Sequence, residues 1–314
     1  MMRRAVALLA WCCLAAPLSA QGGATHVVLV TGLSGEPAYA TTFQAAADQL
    51  FDVAHTQWRV ADSSLWLLSE NPGHDSTRAR GRSTRDGIAT AIAELSRRVK
   101  PGDVVLLVLI GHGSGEGPDS RVDLPGPDAT ARDYALWLAP FTQQAVVVVV
   151  AASASGDFAT VLAAPRRVVI TATKAATERN ESLFAQQFAR GIGSGEADAD
   201  KDGRITAFEA FDFARTSVRA AYDATKRLLT EHAQLTGDEQ LARQVGFGPP
   251  RGSSDPRIAA LLAERVRLEA AVAELRGRKT TTDSLAYARE LEQLLVQLAE
   301  KTRAIRLLEQ GGAP

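Results

Sequence analysis

Short apolar runs alternate with amphipathic segments along the first half of the chain. Five runs have the length of β-strands, and two of them, Asp103–Ile110 and Ala145–Val150, are apolar at almost every position. Such runs are typical of central parallel strands that are covered on both faces. The other three predicted strands are His26–Thr31, Ser64–Ser69 and Arg167–Thr173.

The segments between these runs have helical spacing. After Thr84, a residue type that caps helices, Ile88, Ile92, Leu95 and Val99 recur on one face, and Pro101-Gly102 ends the pattern. Asn71–Arg82 is polar and carries Pro72 and two glycines, so we expect a loop there without an element of its own. Strand and helix alternate, which predicts an α/β fold with a mostly parallel sheet.

Both ends of the chain differ from this pattern. Residues 1–20 have the order of a secretory signal peptide, with Arg3 and Arg4 before an apolar run and small residues before Gln21. A short membrane anchor is the alternative, although the run is shorter than a bilayer requires. We therefore expect a periplasmic or secreted protein with no transmembrane segment once the signal is cleaved. Both cysteines, Cys12 and Cys13, lie inside this segment.

The C-terminal part follows a Gly/Pro/Ser-rich stretch, residues 246–256, which we interpret as a linker that ends an α/β domain of residues 21–245. Leucine and isoleucine then recur at heptad spacing in two segments within residues 257–310. This pattern predicts an α-helical hairpin or short coiled coil. The hairpin either packs back on its own domain or serves for self-association or for binding a partner, and the sequence leaves both readings open.

Composition narrows the class of partner. The formal net charge is −1, and 46% of the residues are hydrophobic. No basic patch is interleaved with aromatic residues, so we expect no binding of nucleic acid.

The chemistry of the chain concentrates after the two central strands. His112 and Gly113 follow the first of these strands, and Ser153 follows the second within the small-residue segment Ala151–Gly156. The carboxyl ends of neighbouring parallel strands are where ligands and catalytic groups collect in open α/β sheets. The sequence therefore predicts a site that contains an imidazole and a hydroxyl.

These two segments, LIGHGSG and VVVAASASGDF, resemble the catalytic segments of the legumain-like cysteine peptidases and the wider caspase-like clan. In that clan, one strand ends in His-Gly and a later one in Ala-Cys-x-Ser-Gly, so Ser153 stands where the nucleophilic cysteine would be. Further fragments resemble bacterial members in the same order along the chain, namely LVTGLSGE, VDLPGPDAT, VVITATKAATERNESLFAQQF and TEHAQL. The resemblance covers about residues 26–241. It implies a three-layer caspase-like sandwich, a catalytic position for His112 and for residue 153, and an oxyanion donor in the Gly113 amide.

Three interpretations of Ser153 remain open. It is an inert small residue at a crowded turn, the nucleophile of a serine-type hydrolase with His112 as base, or the remnant of a peptidase site that still binds a peptide or protein partner. A hydroxyl must lose its proton to a well-oriented base during attack, whereas a thiol ionises readily. An impaired enzyme acting as a binding module is therefore the leading hypothesis. His112 could equally be a histidine bonded only to the backbone.

The acidic segment of residues 198–209 matches the twelve-residue calcium loop of an EF-hand position by position. The motif needs carboxylates at places one, three and five, a glycine at six, a carbonyl at seven, a water-bridged group at nine and a bidentate carboxylate at twelve. The residues at these places are Asp198, Asp200, Asp202, Gly203, Arg204, Thr206 and Glu209. We therefore expect a Ca²⁺ site, with an acidic turn that holds no metal as the alternative. EF-hands usually occur in pairs, and the sequence shows no second loop.

Overall fold

The structure, a computed structural model, describes residues 23–75, 77–247, 256–279 and 283–311. The predicted signal peptide, residues 1–20, lies outside these ranges, as does most of the predicted linker. The strands, in chain order, are β1 (Thr25–Thr31), β2 (Leu65–Ser69), β3 (Ala79–Arg82), β4 (Val104–Gly111), β5 (Gly113–Ser114), β6 (Arg121–Val122), β7 (Ala129–Thr130), β8 (Ala145–Ala152), β9 (Arg167–Thr171) and β10 (Gln234–Gly237).

Seven strands form one sheet in the order β10-β9-β8-β4-β1-β2-β3. Every neighbouring pair is parallel except β9 and β10, which are antiparallel. The prediction of a mostly parallel sheet is confirmed. The two most apolar strands, β4 and β8, pair in the middle of the sheet, where both faces are covered.

The helices, in chain order, are α1 (Pro37–Thr56), α2 (Arg85–Ser96), α3 (Ala131–Trp137), α4 (Phe158–Val161), α5 (Phe184–Ser194), α6 (Ala207–Ala224), α7 (Glu239–Gln244), α8 (Pro256–Gly277) and α9 (Ser284–Gly311). Alternate residues of β8 face two separate cores: Val147 and Val149 pack with residues of α1, α5 and α6, and Val148 and Val150 with residues of α2, α3 and α4. The domain is therefore a three-layer α/β sandwich. Thr84 caps α2 as predicted, by accepting a hydrogen bond from the Gly87 amide.

Five strands were not predicted from the sequence: β3 and β10 of the large sheet, and β5, β6 and β7, which form a separate small sheet. The polar stretch Asn71–Arg82 contains a short 3-10 helix, Pro72–Asp75, and ends in β3, an edge strand parallel to β2, so the expectation of a loop without an element is wrong. The Arg80 guanidinium lies 4.9 Å from the ring centroid of Trp66 on β2. β3 and β10 lie at the two edges of the sheet and are only partly covered, and such strands need no apolar alternation.

The two predicted C-terminal helices are present, and α8 and α9 pack against each other as the helical hairpin. Ile258 and Leu262 of α8 bury their side chains with Ile305 of α9. The Lys301 ammonium lies 2.6 Å from the Glu264 carboxylate and links the same two helices. Among the described residues, no helix is both long enough and apolar enough to cross a membrane.

Candidate functional site

His112 and Ser153 lie at adjoining positions on one edge of the sheet. The last residues of β4 and β8, Gly111 and Ala152, are partners in the parallel register, and His112 and Ser153 are the residues that follow them. Because neighbouring parallel strands have their carboxyl ends side by side, the fold brings the predicted imidazole and hydroxyl to neighbouring loops.

The loop after β1 and the helix α1 orient the His112 ring. Nε2 lies 3.2 Å from the carbonyl oxygen of Ser34. A carbonyl oxygen only accepts hydrogen bonds, so Nε2 is the donor in this contact. The rings of Tyr39 and Phe43 pack edge-on against the imidazole, with centroids 4.8 and 5.2 Å away.

The Ser153 hydroxyl is bonded to the backbone of Gly113. Its Oγ accepts a hydrogen bond from the Gly113 amide at 3.2 Å and makes a long contact of 3.5 Å with the Gly113 carbonyl. Ser153 is only 3% exposed. Within the described ranges, no hydrogen bond joins its hydroxyl to the His112 ring. The Gly113 amide, expected from the resemblance to serve an oxyanion, thus already has an acceptor.

The turn that carries Ser153 is tightly constrained. Ala154 has the left-handed backbone conformation, with φ +51°, and its amide donates to the carbonyl of Glu178. A Cβ on Gly113 would lie 2.4 Å from the Ser153 carbonyl oxygen, so this position has no room for a side chain. The Glu178 carboxylate in turn accepts from the amide and from Nδ1 of His232.

Neither acidic residue near the two segments orients the imidazole. Asp157 accepts a hydrogen bond from the Gly117 amide at 2.7 Å and fixes the loop after β5. Glu116 is exposed. The group that orients the imidazole is the Ser34 carbonyl, which no sequence pattern could indicate because every residue carries a carbonyl.

A cavity of about 400 Å³ opens at the carboxyl ends of β1 and β2, and neither His112 nor Ser153 is among its lining residues. Phe43 both lines this cavity and contacts the His112 ring. Glu70 also lines the cavity, and its carboxylate accepts hydrogen bonds from the amide and the hydroxyl of Ser34. Because the Ser34 carbonyl bonds to His112, Ser34 connects the cavity lining to the imidazole. The other polar lining residues are Thr31, Thr41, Gln44, Asp48, Ser69 and Asn71.

A second histidine forms a Ser–His–Asp hydrogen-bond chain at the amino-terminal ends of the strands, opposite the end that carries His112 and Ser153. Nδ1 of His26 lies 2.9 Å from the Ser64 hydroxyl, and its Nε2 lies 3.0 Å from Asp103. Asp103 also accepts from the amides of Ala24 and Lys100. These bonds fasten the amino-terminal ends of β1 and β4, and we interpret the chain as structural.

The acidic loop between α5 and α6 turns sharply at two residues. Lys201 and Gly203 have positive φ of 58° and 82°. The Asp198 carboxylate accepts from the amides of Asp202 and Gly203 across the loop. One carboxylate oxygen from each of Asp198, Asp200 and Asp202 lies within 4.8 Å of the others, which is close enough for a shared cation.

The end of the loop is tied to its beginning by Glu209. One carboxylate oxygen accepts from the Ala199 amide, and the other accepts from the amide and hydroxyl of Thr206, which caps α6. The neighbouring residue Ile205 pairs with the segment that follows α7: Phe247 donates to the Ile205 carbonyl, and Thr206 and Gly246 form a β-bridge.

The three aspartates are crowded and partly buried. Burial, reinforced by the charge of Asp200, raises the pKa of Asp202 to about 7. Burial also raises the pKa of Asp198, with Glu209 and Asp200 adding to the effect. The loop therefore favours a positive charge among its carboxylates.

The helical hairpin supplies one such charge. Arg265 of α8 places its Nη2 at 2.5 Å from Asp200 and 3.0 Å from Asp202, and its Nε at 3.0 Å from Glu269. Arg265 is only 5% exposed. The sequence analysis did not predict this contact, since Arg265 lies more than sixty residues after Asp200 and Asp202, in an ordinary charged helix.

Comparison with known proteins gives little on which to place the chain. No protein-family model matches it, and no curated protein matches it. Among solved structures, it is similar to a crystal structure of a protein from Geobacter sulfurreducens determined as a structural-genomics target. The two share 13% identity at a TM-score of 0.47, and the match covers 71% of this chain and 98% of the other.

Proposed function

We propose that the chain is an exported homologue of the legumain-like, caspase-like peptidases that has lost efficient catalysis and binds a peptide or protein partner. In this proposal the three-layer sandwich is a caspase-like domain, His112 and Ser153 are the remnants of its catalytic pair, and Ca²⁺ stabilises the loop of residues 198–209. The helical hairpin is an additional surface for a partner or a second copy.

The hydrogen bonding of Ser153 carries the proposal of impaired catalysis. General-base activation requires a hydroxyl within hydrogen-bond reach of a base, ~3.2 Å. The Ser153 hydroxyl is instead bonded to the Gly113 amide. A thiolate could work beside an imidazolium without that bond, whereas a neutral hydroxyl needs it.

The cavity at the carboxyl ends of β1 and β2 supports a role in binding. Pockets for ligands are concave and carry a few polar groups that fix orientation. Here those groups include the carboxylates of Asp48 and Glu70. They favour a peptide that places a basic or hydrogen-bond-donating side chain in the cavity.

A serine-type hydrolase that uses Ser153 and His112 is the alternative. It is supported by Nδ1 of His112, which has no hydrogen-bond partner among the described residues. A fluorophosphonate probe separates the two: we expect the purified protein to show no more labelling than Ser153→Ala. Labelling that disappears in Ser153→Ala would establish the hydrolase instead.

Asp198, Asp200, Asp202, Thr206 and Glu209, together with the Arg204 carbonyl, would hold the calcium ion. Hard oxygen ligands suit such a cation. A bound Ca²⁺ supplies charge neutralisation for the crowded carboxylates and no catalytic step. It would connect the end of α5 to the beginning of α6.

A further inference from the structure

The guanidinium of Arg265 bonds to one carboxylate oxygen of Asp200 and one of Asp202, two of the three aspartates in the acidic loop that lie close enough for a shared cation. Each of Asp200 and Asp202 uses one carboxylate oxygen for the loop itself: Oδ1 of Asp200 accepts from the Asp202 amide, and Oδ1 of Asp202 accepts from the Arg204 amide. The remaining oxygen of each, Oδ2, is the one bonded to Arg265. In each of these two carboxylates, Oδ1 therefore bonds to the loop backbone and Oδ2 bonds to Arg265.

The Arg265 side chain is incompletely satisfied in this position. Its Nη1 is buried and has no hydrogen-bond partner among the described residues. A buried donor without an acceptor has lost its hydrogen bonds to water, whereas a solvated guanidinium keeps them, so burial of Nη1 destabilises this position of the side chain. The contact between α8 and the loop is thus held by the attraction of two carboxylates, against the cost of burying the guanidinium.

From these two observations we propose that Ca²⁺ and Arg265 compete for Asp200 and Asp202, so that calcium binding detaches α8 of the helical hairpin from the α/β domain. This inference rests on the calcium loop proposed above. A divalent cation among the aspartates repels the guanidinium and takes its two oxygens. Glu269, one turn further along α8, remains available to pair with Arg265 after release.

The competition predicts that removing Arg265 strengthens calcium binding. Isothermal titration with CaCl₂ should show affinity higher by on the order of tenfold in Arg265→Gln than in the unchanged chain, which corresponds to ~1.4 kcal/mol. Arg267→Gln is the matched control, since Arg267 is an exposed arginine two positions along the same helix. Its affinity should equal that of the unchanged chain.

Release of the hairpin is measured independently of affinity. Spin labels at Thr216→Cys on α6 and Ala263→Cys on α8, both exposed positions, report the distance between hairpin and domain, with Cys12 and Cys13 replaced by serine. Saturating CaCl₂ should lengthen and broaden this distance, and MgCl₂ at equal ionic strength should not. In Arg265→Gln the distance should already be long without calcium.

The outcomes separate the two proposals. If neither the unchanged chain nor Arg265→Gln binds Ca²⁺, the calcium loop itself is wrong. If both bind with equal affinity and the spin-label distance stays constant, calcium binds but does not compete with Arg265, and the inference is overturned. A calcium-induced change that persists in Glu209→Gln, which lacks the bidentate ligand, would also overturn it.

Discussion

The Gly113 amide donates a hydrogen bond to the Ser153 hydroxyl across 3.2 Å, between the loops that follow the two central strands. The bond fixes the hydroxyl on the backbone of the loop that carries His112. It makes Ser153 a structural link between two strand ends, whatever its chemistry.

Ser153→Ala should therefore destabilise the fold. The substitution leaves the Gly113 amide without its acceptor, and an unsatisfied donor of this kind costs about 1–2 kcal/mol. Urea unfolding followed by circular dichroism measures the change. Thr160→Ala, at an exposed position of α4, serves as the control and should shift the unfolding free energy by less than about 0.5 kcal/mol. Equal stability of Ser153→Ala and the unchanged chain would show that the bond contributes nothing.

Glu231 makes a larger structural contribution. It is 3% exposed, and its carboxylate accepts from the Ser182 hydroxyl and from the amides of Leu183 and Phe184 at the beginning of α5. Glu231→Ala leaves all three donors without their acceptor, and we expect a loss of at least about 3 kcal/mol, at about 1–3 kcal/mol for each unsatisfied group.

Thermal and urea unfolding measure this loss. The control is Glu239→Ala, which removes an exposed ion pair with Arg243 and should cost at most about 0.5 kcal/mol. Similar losses in the two variants would contradict a capping role for Glu231.

Asp133 gives the fold an acid-sensitive element. It forms a capping box with Thr130 at the beginning of α3 and lies 2.6 Å from Arg85. The hydrogen bond with Arg85 lowers the pKa of Asp133 to about 2, against the smaller opposing effect of burial. A carboxylate with a depressed pKa stabilises the folded state above its ordinary pKa, and this contribution is lost as pH falls from about 4 through about 2.

Asp133→Asn should lower stability at pH 7 by about 1–2 kcal/mol and flatten the decline between about pH 4 and pH 2. The side chain of Asp133 is 16% exposed and that of Arg85 is 43% exposed. Solvent therefore screens the pair, and the loss of unfolding free energy should be smaller than the pKa shift alone would give. Unfolding free energies across this pH range provide the measurement. Asp119→Asn, which changes an exposed carboxylate 4.0 Å from Arg132, should leave the decline unchanged.

Calcium should raise the melting temperature through the acidic loop. A lone extracellular-type site has a Kd of about 10⁻⁴–10⁻³ M. At 10 mM CaCl₂ such a site stabilises the folded state by about 1.4–2.7 kcal/mol. Differential scanning calorimetry should show this increase in the unchanged chain and its loss in Asp198→Asn. An increase of equal size with MgCl₂, or one that survives in Asp198→Asn, would place the effect elsewhere.

Local features of the fold could be predicted because neighbouring residues encode them. The apolar runs that became β4 and β8 are central strands for hydrophobic reasons alone, and the Thr84 cap needs only the Gly87 amide three residues later. The edge strands β3 and β10 could not be predicted in this way, because partial exposure imposes no apolar pattern.

The sequence by itself determined the alternation of strands and helices, the position of the imidazole and hydroxyl after two central strands, and the backbone of the acidic loop. These features depend on periodicity and on hydrogen bonds between residues a few positions apart. Only the tertiary structure decided that the Ser34 carbonyl orients His112, that the Ser153 hydroxyl bonds to Gly113, and that Arg265 reaches the loop. The physical reason is that each of these contacts joins residues at least forty positions apart, and their approach is set by how sheet, helices and hairpin pack.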